Sequence, residues 1–447
     1  MTDSLLRRIE SRTARITVVG LGYVGLPTAL AFAEVGFHVT GVDSDIKRIR
    51  LLRAKVSYLK ETGVSELLQS QITKGFFSPN DDVLHALSAS HVVVVCVQTP
   101  LARRGVPNTT FLKRVARSLG HDSPKGKLII VESTVSPGTV EGTFLKGLQD
   151  CSGLICGKDF WLAYCPERVF PGRSMQELRS NPRIVAGFDE KSSLLAKELL
   201  RHITSGEIII SNIRAAEIAK LAENTFRDVN IAFANELALI CEERKVDVME
   251  VIRLANTHPR VRSIHRPGYG VGGPCLPKDP YLLLWPSKAK RVSLIRTSRE
   301  MNDSMPLHSV EIIERALRDD GKSLSDAKIG VLGVTYKGGI DDVRDTPAES
   351  LIRSLLKRRA KVKVYDPKTR CTFGAKRART LQESISDVDC VAVLADHKEI
   401  TDSLVACLES VDKHPILFDG IRIFDPKVVR SVGSRYIAVG YQDINSP

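Results

Sequence analysis

Short runs rich in valine and isoleucine alternate with helical stretches in the first part of the chain. Residues 16–19, 39–42, 92–97 and 128–131 are such runs. Near-continuous apolar character marks strands buried on both faces, so the pattern predicts parallel strands with helices between them. From about 215 to 244 the period changes. Ile218, Leu221, Thr225, Phe226, Val229, Phe233, Leu237 and Ile240 recur at helical spacing. About 30 residues at 1.5 Å each make a helix of roughly 45 Å, the span of a domain. Strand-like runs return at 329–332, 362–365, 391–394 and 416–418. The pattern divides the chain into residues 1–205, 206–320 and 321–447, and the polar stretch 1–15 reads as a short helical arm.

Composition narrows the classes. The chain has 447 residues, 43% of them hydrophobic, enough for sizeable cores. No stretch of about 18 consecutive apolar residues occurs, so no membrane-crossing helix is expected. The first residues lack the apolar run of a signal peptide, which makes the cytoplasm the expected compartment. The formal charge is +13, with basic clusters at 288–291, 357–363 and 376–379. These clusters carry no interleaved aromatics, which argues against nucleic acid. A solvated basic surface or a diphosphate ligand remains. Nine cysteines are scattered, an odd count that fits thiols in a reducing compartment. Cys96, Cys165, Cys241 and Cys390 lie in apolar runs and read as small hydrophobes. Cys151 and Cys156 have no partner pair at zinc spacing, so no metal is expected.

Gly20-Leu21-Gly22-Tyr23-Val24-Gly25 follows the run 16–19 and opens a helical stretch, and the next run ends at Asp43. Strand, glycine turn, helix and terminal acid within about 30 residues form a dinucleotide-binding unit. Gly20 permits the tight turn, Gly22 lets a pyrophosphate approach the backbone, and Gly25 lets the helix pack on the strand. The helix N-terminus faces the phosphates. Asp43 accepts from the adenine ribose hydroxyls and repels a 2′-phosphate, which selects NAD over NADP. Thr99, in Cys96-Val97-Gln98-Thr99-Pro100, and Ser133 and Thr134, in Glu132 to Gly138, sit where two more strands end. Ligands of doubly wound sheets bind there.

Residues Gly268 to Asp279 read Gly-Tyr-Gly-Val-Gly-Gly-Pro-Cys-Leu-Pro-Lys-Asp. Four glycines allow close backbone approach to a ligand. Beside a dinucleotide fingerprint, the thiol of Cys275 suggests covalent capture of an oxidised substrate. Lys278 favours the thiolate. Asp279 serves either as a base or as a structural partner of Lys278. Lys220 and Asn224 share one face of the long helix and together would stabilise an oxyanion, although a bare pair at this spacing also suits a solvated face. In the third part, Thr346-Pro347-Ala348-Glu349 reads as a capping box opening a helix of a second βαβ unit. Its turn, 333–339, lacks the glycine fingerprint, which favours a nucleotide site of another kind, with Lys337 and Arg344 as diphosphate cations.

These motifs give the chain a resemblance to the UDP-glucose and GDP-mannose 6-dehydrogenases over nearly its whole length. It rests on Gly20 to Pro27, Glu132-Ser133-Thr134, Tyr164-Cys165-Pro166-Glu167-Arg168, Lys220 with Asn224, Gly270 to Asp279, and Tyr336-Lys337 with Asp341 to Arg344. His258-Pro259-Arg260-Val261, Pro267-Gly268 and Pro171-Gly172 are similar to the branch acting on UDP-N-acetylated hexosamines. The resemblance implies an α/β fold of two Rossmann-like domains, each a doubly wound parallel sheet, joined by a long central helix. It implies a helical middle that forms a homodimer or a larger assembly. The implied reaction is oxidation of the sugar C6 alcohol to the acid with two NAD, through a thiohemiacetal and a thioester on Cys275.

Carried over by position, Cys275 is the nucleophile, Lys220 and Asn224 steady the oxyanion, and Asp279 and Thr134 move protons through water. Glu167 matches a glutamate near the sugar, with Arg168 beside it. Tyr269, Gly272, Tyr336, Lys337 and Arg422 are substrate contacts, and Arg260 reaches a substrate from the neighbouring subunit. Gly20, Gly22, Tyr23, Val24, Gly25, Asp43, Arg48, Thr99, Ser133, Thr134, Lys278 and Arg344 lie near NAD. Two positions depart from the family pattern. A glutamate four residues after the position of Glu167, present in many relatives, is replaced by Pro171, and Gln98 precedes Thr99-Pro100 in place of the more usual small residue or proline. UDP-N-acetylmannosamine or UDP-N-acetylglucosamine is the implied substrate, with UDP-glucose or GDP-mannose as alternatives. A two-electron NAD enzyme or isomerase, and a non-catalytic nucleotide-binding protein, are the rival readings.

Overall fold

The computed structural model describes residues 2–102, 105–170, 172–261, 263–285, 287 and 292–441. Pro171 and the basic cluster 288–291 lie outside the described residues. The chain divides into two compact units, Met1–Glu223 with Tyr281–Ser287, and Asn224–Pro280 with Lys288–Pro447.

The first unit is built on an eight-stranded sheet. Its strands are β1 (Ile16–Val19), β2 (Val39–Val42), β3 (Phe77–Asn80), β4 (Val92–Val95), β5 (Leu128–Val131), β6 (Trp161–Tyr164), β7 (Arg183–Gly187) and β8 (Ile208–Ile210). The order is β3-β2-β1-β4-β5-β6-β7-β8. Only the β6–β7 pair is antiparallel. Val92 and Val94 belong to one core, together with Ile16 and Leu128, while Val93 and Val95 belong to another with Ile129 and Val131. Successive residues of one strand thus feed opposite cores, which is why these strands read as unbroken apolar runs. The run 92–97 leaves the sheet after Val95, although Cys96 N–H still donates to Val19 O at 2.8 Å. The N-terminal arm forms the helix Thr2–Glu10.

The second unit repeats the plan with β9 (Lys328–Leu332), β10 (Lys361–Tyr365), β11 (Lys376–Arg377), β12 (Cys390–Val393), β13 (Ile416–Asp419) and β14 (Tyr436–Ala438). Its order, β11-β10-β9-β12-β13-β14, is parallel throughout. In both sheets the order reverses beside the first strand of the sheet, which is where doubly wound folds bind nucleotides. The helix after β9 starts with Pro347, and Thr346 accepts from Ala348 N–H at 3.3 Å. The reciprocal half of a capping box does not follow, because Glu349 accepts from Arg353 instead.

The division between the units falls inside a 32-residue helix, Ile213–Arg244. A second long helix, Leu294–Asp319, contains Pro306. Among the described residues no helix is long and apolar enough to cross a membrane.

Candidate active site

The glycine turn after β1 has the form a dinucleotide needs. Gly20 has φ +93°, and a Cβ there would lie 2.7 Å from Cys96 O. At Gly25 a Cβ would lie 1.9 Å from Gly20 O, so helix Gly25–Glu34 can sit this close to the turn only with glycine. Gly22 differs, since nothing lies within 4 Å of the position a Cβ would take. That open cradle, the helix N-terminus without a side-chain cap at Val24, and an acid at the end of β2 fit NAD. Asp43 Oδ2 accepts from Leu21 N–H at 2.8 Å and from Arg48 Nη1 at 3.3 Å, while Oδ1 accepts from Asp45 N–H at 2.8 Å. Arg48 lies over the Tyr58 ring, 5.4 Å from its centre. Tyr23 packs against the adjoining core. The loops after β4 and β5 are tied together, with Ser133 Oγ donating to Val97 O at 2.7 Å and Thr99 Oγ1 to Thr134 O at 2.5 Å.

Behind these loops lies a buried charge network that sequence reasoning missed. Arg183, the first residue of β7, donates to Glu167 Oε2 at 2.8 Å and to Glu132 Oε1 at 2.9 Å. Thr28 Oγ1 and Cys96 Sγ donate to Glu132 Oε2, at 3.3 and 3.4 Å. Burial pushes the Glu132 carboxyl up to about 7, with Arg183 opposing and Glu167 adding to the rise. Burial works against the Arg183 charge, but Glu167 and then Glu132 outweigh it and raise its pKa. Cys96 packs against the core as a small hydrophobe, as expected, but it is half-buried and also donates to this network, and burial raises its pKa. Glu167 also accepts from Arg168 N–H at 2.7 Å, and Arg168 pairs with Glu223 at 2.6 Å. The one signal in the sequence was a single arginine opening an otherwise apolar strand.

In the second unit the thiol loop is laid against the turn after β9. Tyr269 is buried, and its N–H donates to Gly420 O at 3.0 Å. A Cβ at Gly272 would lie 2.7 Å from Pro347 Cδ and 2.9 Å from Tyr336 Cβ; at Gly273, with φ +98°, it would lie 2.8 Å from the Tyr336 ring. Cys275 is exposed, and its carbonyl accepts from Lys278 N–H at 3.0 Å and Asp279 N–H at 2.8 Å, starting helix Asp279–Leu284. Asp279 is 1% exposed and its Oδ2 accepts from Asn224 Nδ2 at 2.6 Å. Its Oδ1 has no hydrogen-bond partner and stands 3.5 Å from Lys278 Nζ. The fold therefore brings Cys275, Lys278, Asp279 and Asn224 into one local structure. Lys220 is buried one turn before Asn224 on the long helix.

The turn carrying Tyr336 and Lys337 is braced from within. Val334 N–H donates to Asp366 Oδ2 at 2.7 Å, and Gly339 N–H to His397 Nδ1 at 3.1 Å. The other nitrogen of the buried His397, Nε2, is shared between Thr335 Oγ1 at 2.9 Å and Asp366 Oδ2 at 3.2 Å. Arg344 holds Asp342 through Nε and Nη2. Arg422, at φ +56°, donates through Nη2 to Asp247 Oδ1 at 2.5 Å and lies over the Tyr441 ring, while its buried Nη1 has no hydrogen-bond partner among the described residues. Arg260 is exposed, its N–H donating to His258 Nδ1 at 3.3 Å.

Comparison with known proteins agrees across the chain. The UDP-glucose/GDP-mannose dehydrogenase family matches in three parts: its NAD binding domain at residues 14–204, its central domain at 214–304 and its UDP binding domain at 330–426. A UDP-N-acetyl-D-mannosamine dehydrogenase of Pyrococcus horikoshii is 40% identical over 431 residues, which is 96% of this chain and all of that protein. A solved structure of UDP-D-ManNAc dehydrogenase from P. horikoshii superposes with a TM-score of 0.89 at 40% identity, covering 95% of this chain and 99% of the other. The UDP-N-acetyl-mannosamine dehydrogenase Cap5O of Staphylococcus aureus gives 0.83 at 35% identity, covering 96% and 99%. The chain belongs to the UDP-glucose/GDP-mannose dehydrogenase family and is an NAD-dependent nucleotide-sugar dehydrogenase.

Proposed function

We propose that the chain oxidises the C6 hydroxymethyl of a UDP-N-acetylhexosamine, UDP-N-acetylmannosamine before UDP-N-acetylglucosamine, to the uronate through covalent catalysis by Cys275. The observation that carries this reading is an exposed thiol on a glycine loop whose carbonyl opens the helix bearing Asp279, itself hydrogen-bonded to Asn224. The names of the relatives compared above support the N-acetylated sugar.

NAD supplies the hydride acceptor for both oxidations. Its holders are the turn Gly20 to Gly25, Asp43, Arg48, Thr99 and Ser133, with Lys278 and Arg344. Cys275 Sγ adds to the aldehyde carbon at C6, and the thiohemiacetal keeps the half-oxidised sugar on the chain. Hydrolysis of the thioester formed next releases the acid and returns the thiol. Splitting one hard oxidation into two easier steps is what covalent catalysis offers. Lys220 and Asn224 donate to the oxyanion at C6. Asp279 and Thr134 pass protons by way of water, and Asp279 keeps one oxygen without a hydrogen bond for that purpose. Tyr336, Lys337 and Arg422 hold the uridine diphosphate, Tyr269 and Gly272 border it, and Glu167, Arg168 and Arg260 act toward the sugar. On this reading residues 1–205 serve NAD, 206–320 carry the thiol and the subunit interface, and 321–447 serve the UDP-sugar. The nine thiols suit a reducing cytoplasm.

We infer a homodimer, or a larger assembly containing it, formed through the long helix. Ile218, Phe226, Phe233 and Ile240 are 44%, 68%, 51% and 51% exposed along it. Apolar residues spaced by seven or eight positions on one helix suit packing against a second helix.

A panel of UDP- and GDP-sugars, followed at 340 nm with mass analysis of the products, tests the reading. Two NADH per uronate with N-acetylated hexosamines is expected, and none of that acid from Cys275→Ala. Turnover confined to UDP-glucose removes the substrate assignment, and undiminished uronate from Cys275→Ala removes the covalent one.

A further inference from the structure

We propose that Asn235, fixed by Asn302, is a positioning residue that sets where the thiol loop leaves the helical part of the second unit. The proposal rests on the reading of Cys275 as nucleophile for its effect on turnover, but its geometry stands without it.

The segment 264–268 leading into the loop has no regular structure, and three of its backbone N–H groups are taken by asparagine side chains. Ile264 N–H donates to Asn256 Oδ1 at 2.9 Å, His265 N–H to Asn230 Oδ1 at 3.0 Å, and Gly268 N–H to Asn235 Oδ1 at 2.9 Å. The third is the anchored one. Asn235 Nδ2 donates to Asn302 Oδ1 at 2.9 Å, and Asn302 Nδ2 donates to Asp228 Oδ1 at 2.9 Å and to Asp228 O at 3.0 Å. Arg299 Nη1 closes the chain on Asp228 Oδ1 at 2.5 Å. Asn235 and Asp228 are fully buried, and Asn302 and Arg299 are 1% exposed.

Every link from Gly268 to Asp228 donates in the same sense. Turning the Asn235 amide over would set its oxygen against Asn302 Oδ1 and its NH2 against the Gly268 N–H, so only one orientation satisfies both neighbours. The same helix also meets the loop a turn later, where Pro306 Cγ lies 3.2 Å from the Cβ position of Gly270. Gly272 and Gly273 then press on Tyr336, two residues before Cys275. The path from the Asn235 amide to the sulfur is thus short and braced at each step. A hydrophobic core would pack these helices equally well. What the polar chain adds is one fixed position for the Gly268 N–H.

The test uses full-length enzyme carrying Asn235→Asp or Asn235→Leu. Three quantities are measured across pH 6 to 9: kcat and KM, the denaturation midpoint, and the rate at which iodoacetamide alkylates Cys275, read by peptide mass spectrometry. In Asn235→Asp the neutral acid can donate to Asn302 and accept from Gly268, whereas the carboxylate sets oxygen against oxygen. Its kcat relative to the parent should rise about tenfold from pH 9 to pH 6, since burial favours the neutral acid. Asn235→Leu should lose about 100-fold in kcat at every pH, the cost of displacing a reacting group by about 1 Å, with the NAD KM unchanged and the alkylation rate altered. Parental kcat and alkylation in Asn235→Leu would overturn the proposal. So would losses that follow the denaturation midpoint alone, with no recovery of Asn235→Asp in acid. Alkylation reports loop position without turnover, so a failure of the covalent reading, seen in Cys275→Ala, stays distinct from a failure of this one.

Discussion

Asn224 Nδ2 and Asp279 Oδ2 meet in a 2.6 Å hydrogen bond that ties the long helix to the first residue of the helix after the thiol. Asp279→Asn keeps an oxygen for Asn224 and loses only charge and proton affinity. We expect kcat to fall by about 10² to 10³, the range for a lost general acid–base group, with little change in the denaturation midpoint. Asn224→Ala does the reverse to the fold, stranding a buried carboxylate oxygen at a cost of about 1–3 kcal/mol. A fully active Asp279→Asn enzyme would leave Asp279 as the structural partner of Lys278, the other role its position allows.

Arg183 faces two buried carboxylates and neutralises one charge. Burial, with the neighbouring Glu167 charge adding to it and Arg183 opposing, pushes the Glu132 carboxyl up to about 7 from the ordinary 4.5. Between those values the folded protein holds a proton that the unfolded chain has released. The stability contributed by this carboxyl is therefore complete below pH 4.5 and is lost as the pH rises through 7. Chemical denaturation at pH 5 and pH 7.5 should show the decline, and Glu132→Gln should flatten it. An identical slope in the variant would assign the titration elsewhere. Arg183→Met, which leaves both carboxylates without their cation, should cost about 3–5 kcal/mol near neutral pH.

What could be read from sequence was what is local. The runs at β4 and β5 stood out because each alternates between two cores and so has no polar face, whereas β10 turns Lys361 and Lys363 away from the core that holds Val362 and Val364 and was read from its β-branched residues. β3 was missed because Ser78 and Pro79 interrupt it, which an edge strand tolerates, and β7 because a buried arginine opens it. The same divide separates the site residues. The glycine turn and the thiol loop are contiguous and announce themselves by residue type. Glu132 and Arg183 stand 51 positions apart, and Asn235 and Asn302 stand 67 apart. Each is an ordinary polar residue until the fold supplies its partner. On the long helix, spacing alone could not separate buried Leu221 from exposed Phe226 and Phe233, since both faces carry apolar residues.

The exposed phenylalanines give a direct test of assembly. Phe233→Glu places a charge in the middle of the stripe formed by Phe226, Phe233 and Ile240. Burying an uncompensated charge in a subunit interface is strongly unfavourable. Sedimentation velocity should show the parent as a dimer or larger and the variant as a monomer, with far-ultraviolet circular dichroism unchanged. A variant that sediments like the parent would move the interface off this helix.

Gly273 and Tyr336 approach one another where the thiol loop lies against the turn after β9, the turn proposed above to hold the nucleotide. Gly273 has φ +98°, and an added Cβ would lie 2.8 Å from Tyr336 Cε2. Gly273→Ala meets both obstacles, unfavourable backbone at about 1–3 kcal/mol and a clash with a ring. Either the loop lifts and carries Cys275 with it, or the Tyr336 ring turns away from the nucleotide. The first lowers kcat and the second raises the sugar KM, while neither touches the NAD turn. Removing the ring separates them. Tyr336→Ala alone should raise the sugar KM, and adding it to Gly273→Ala should restore part of the lost kcat, a non-additive result of the kind contacting residues show. Strict additivity in that double-mutant cycle would mean that the ring does not set the height of the thiol loop.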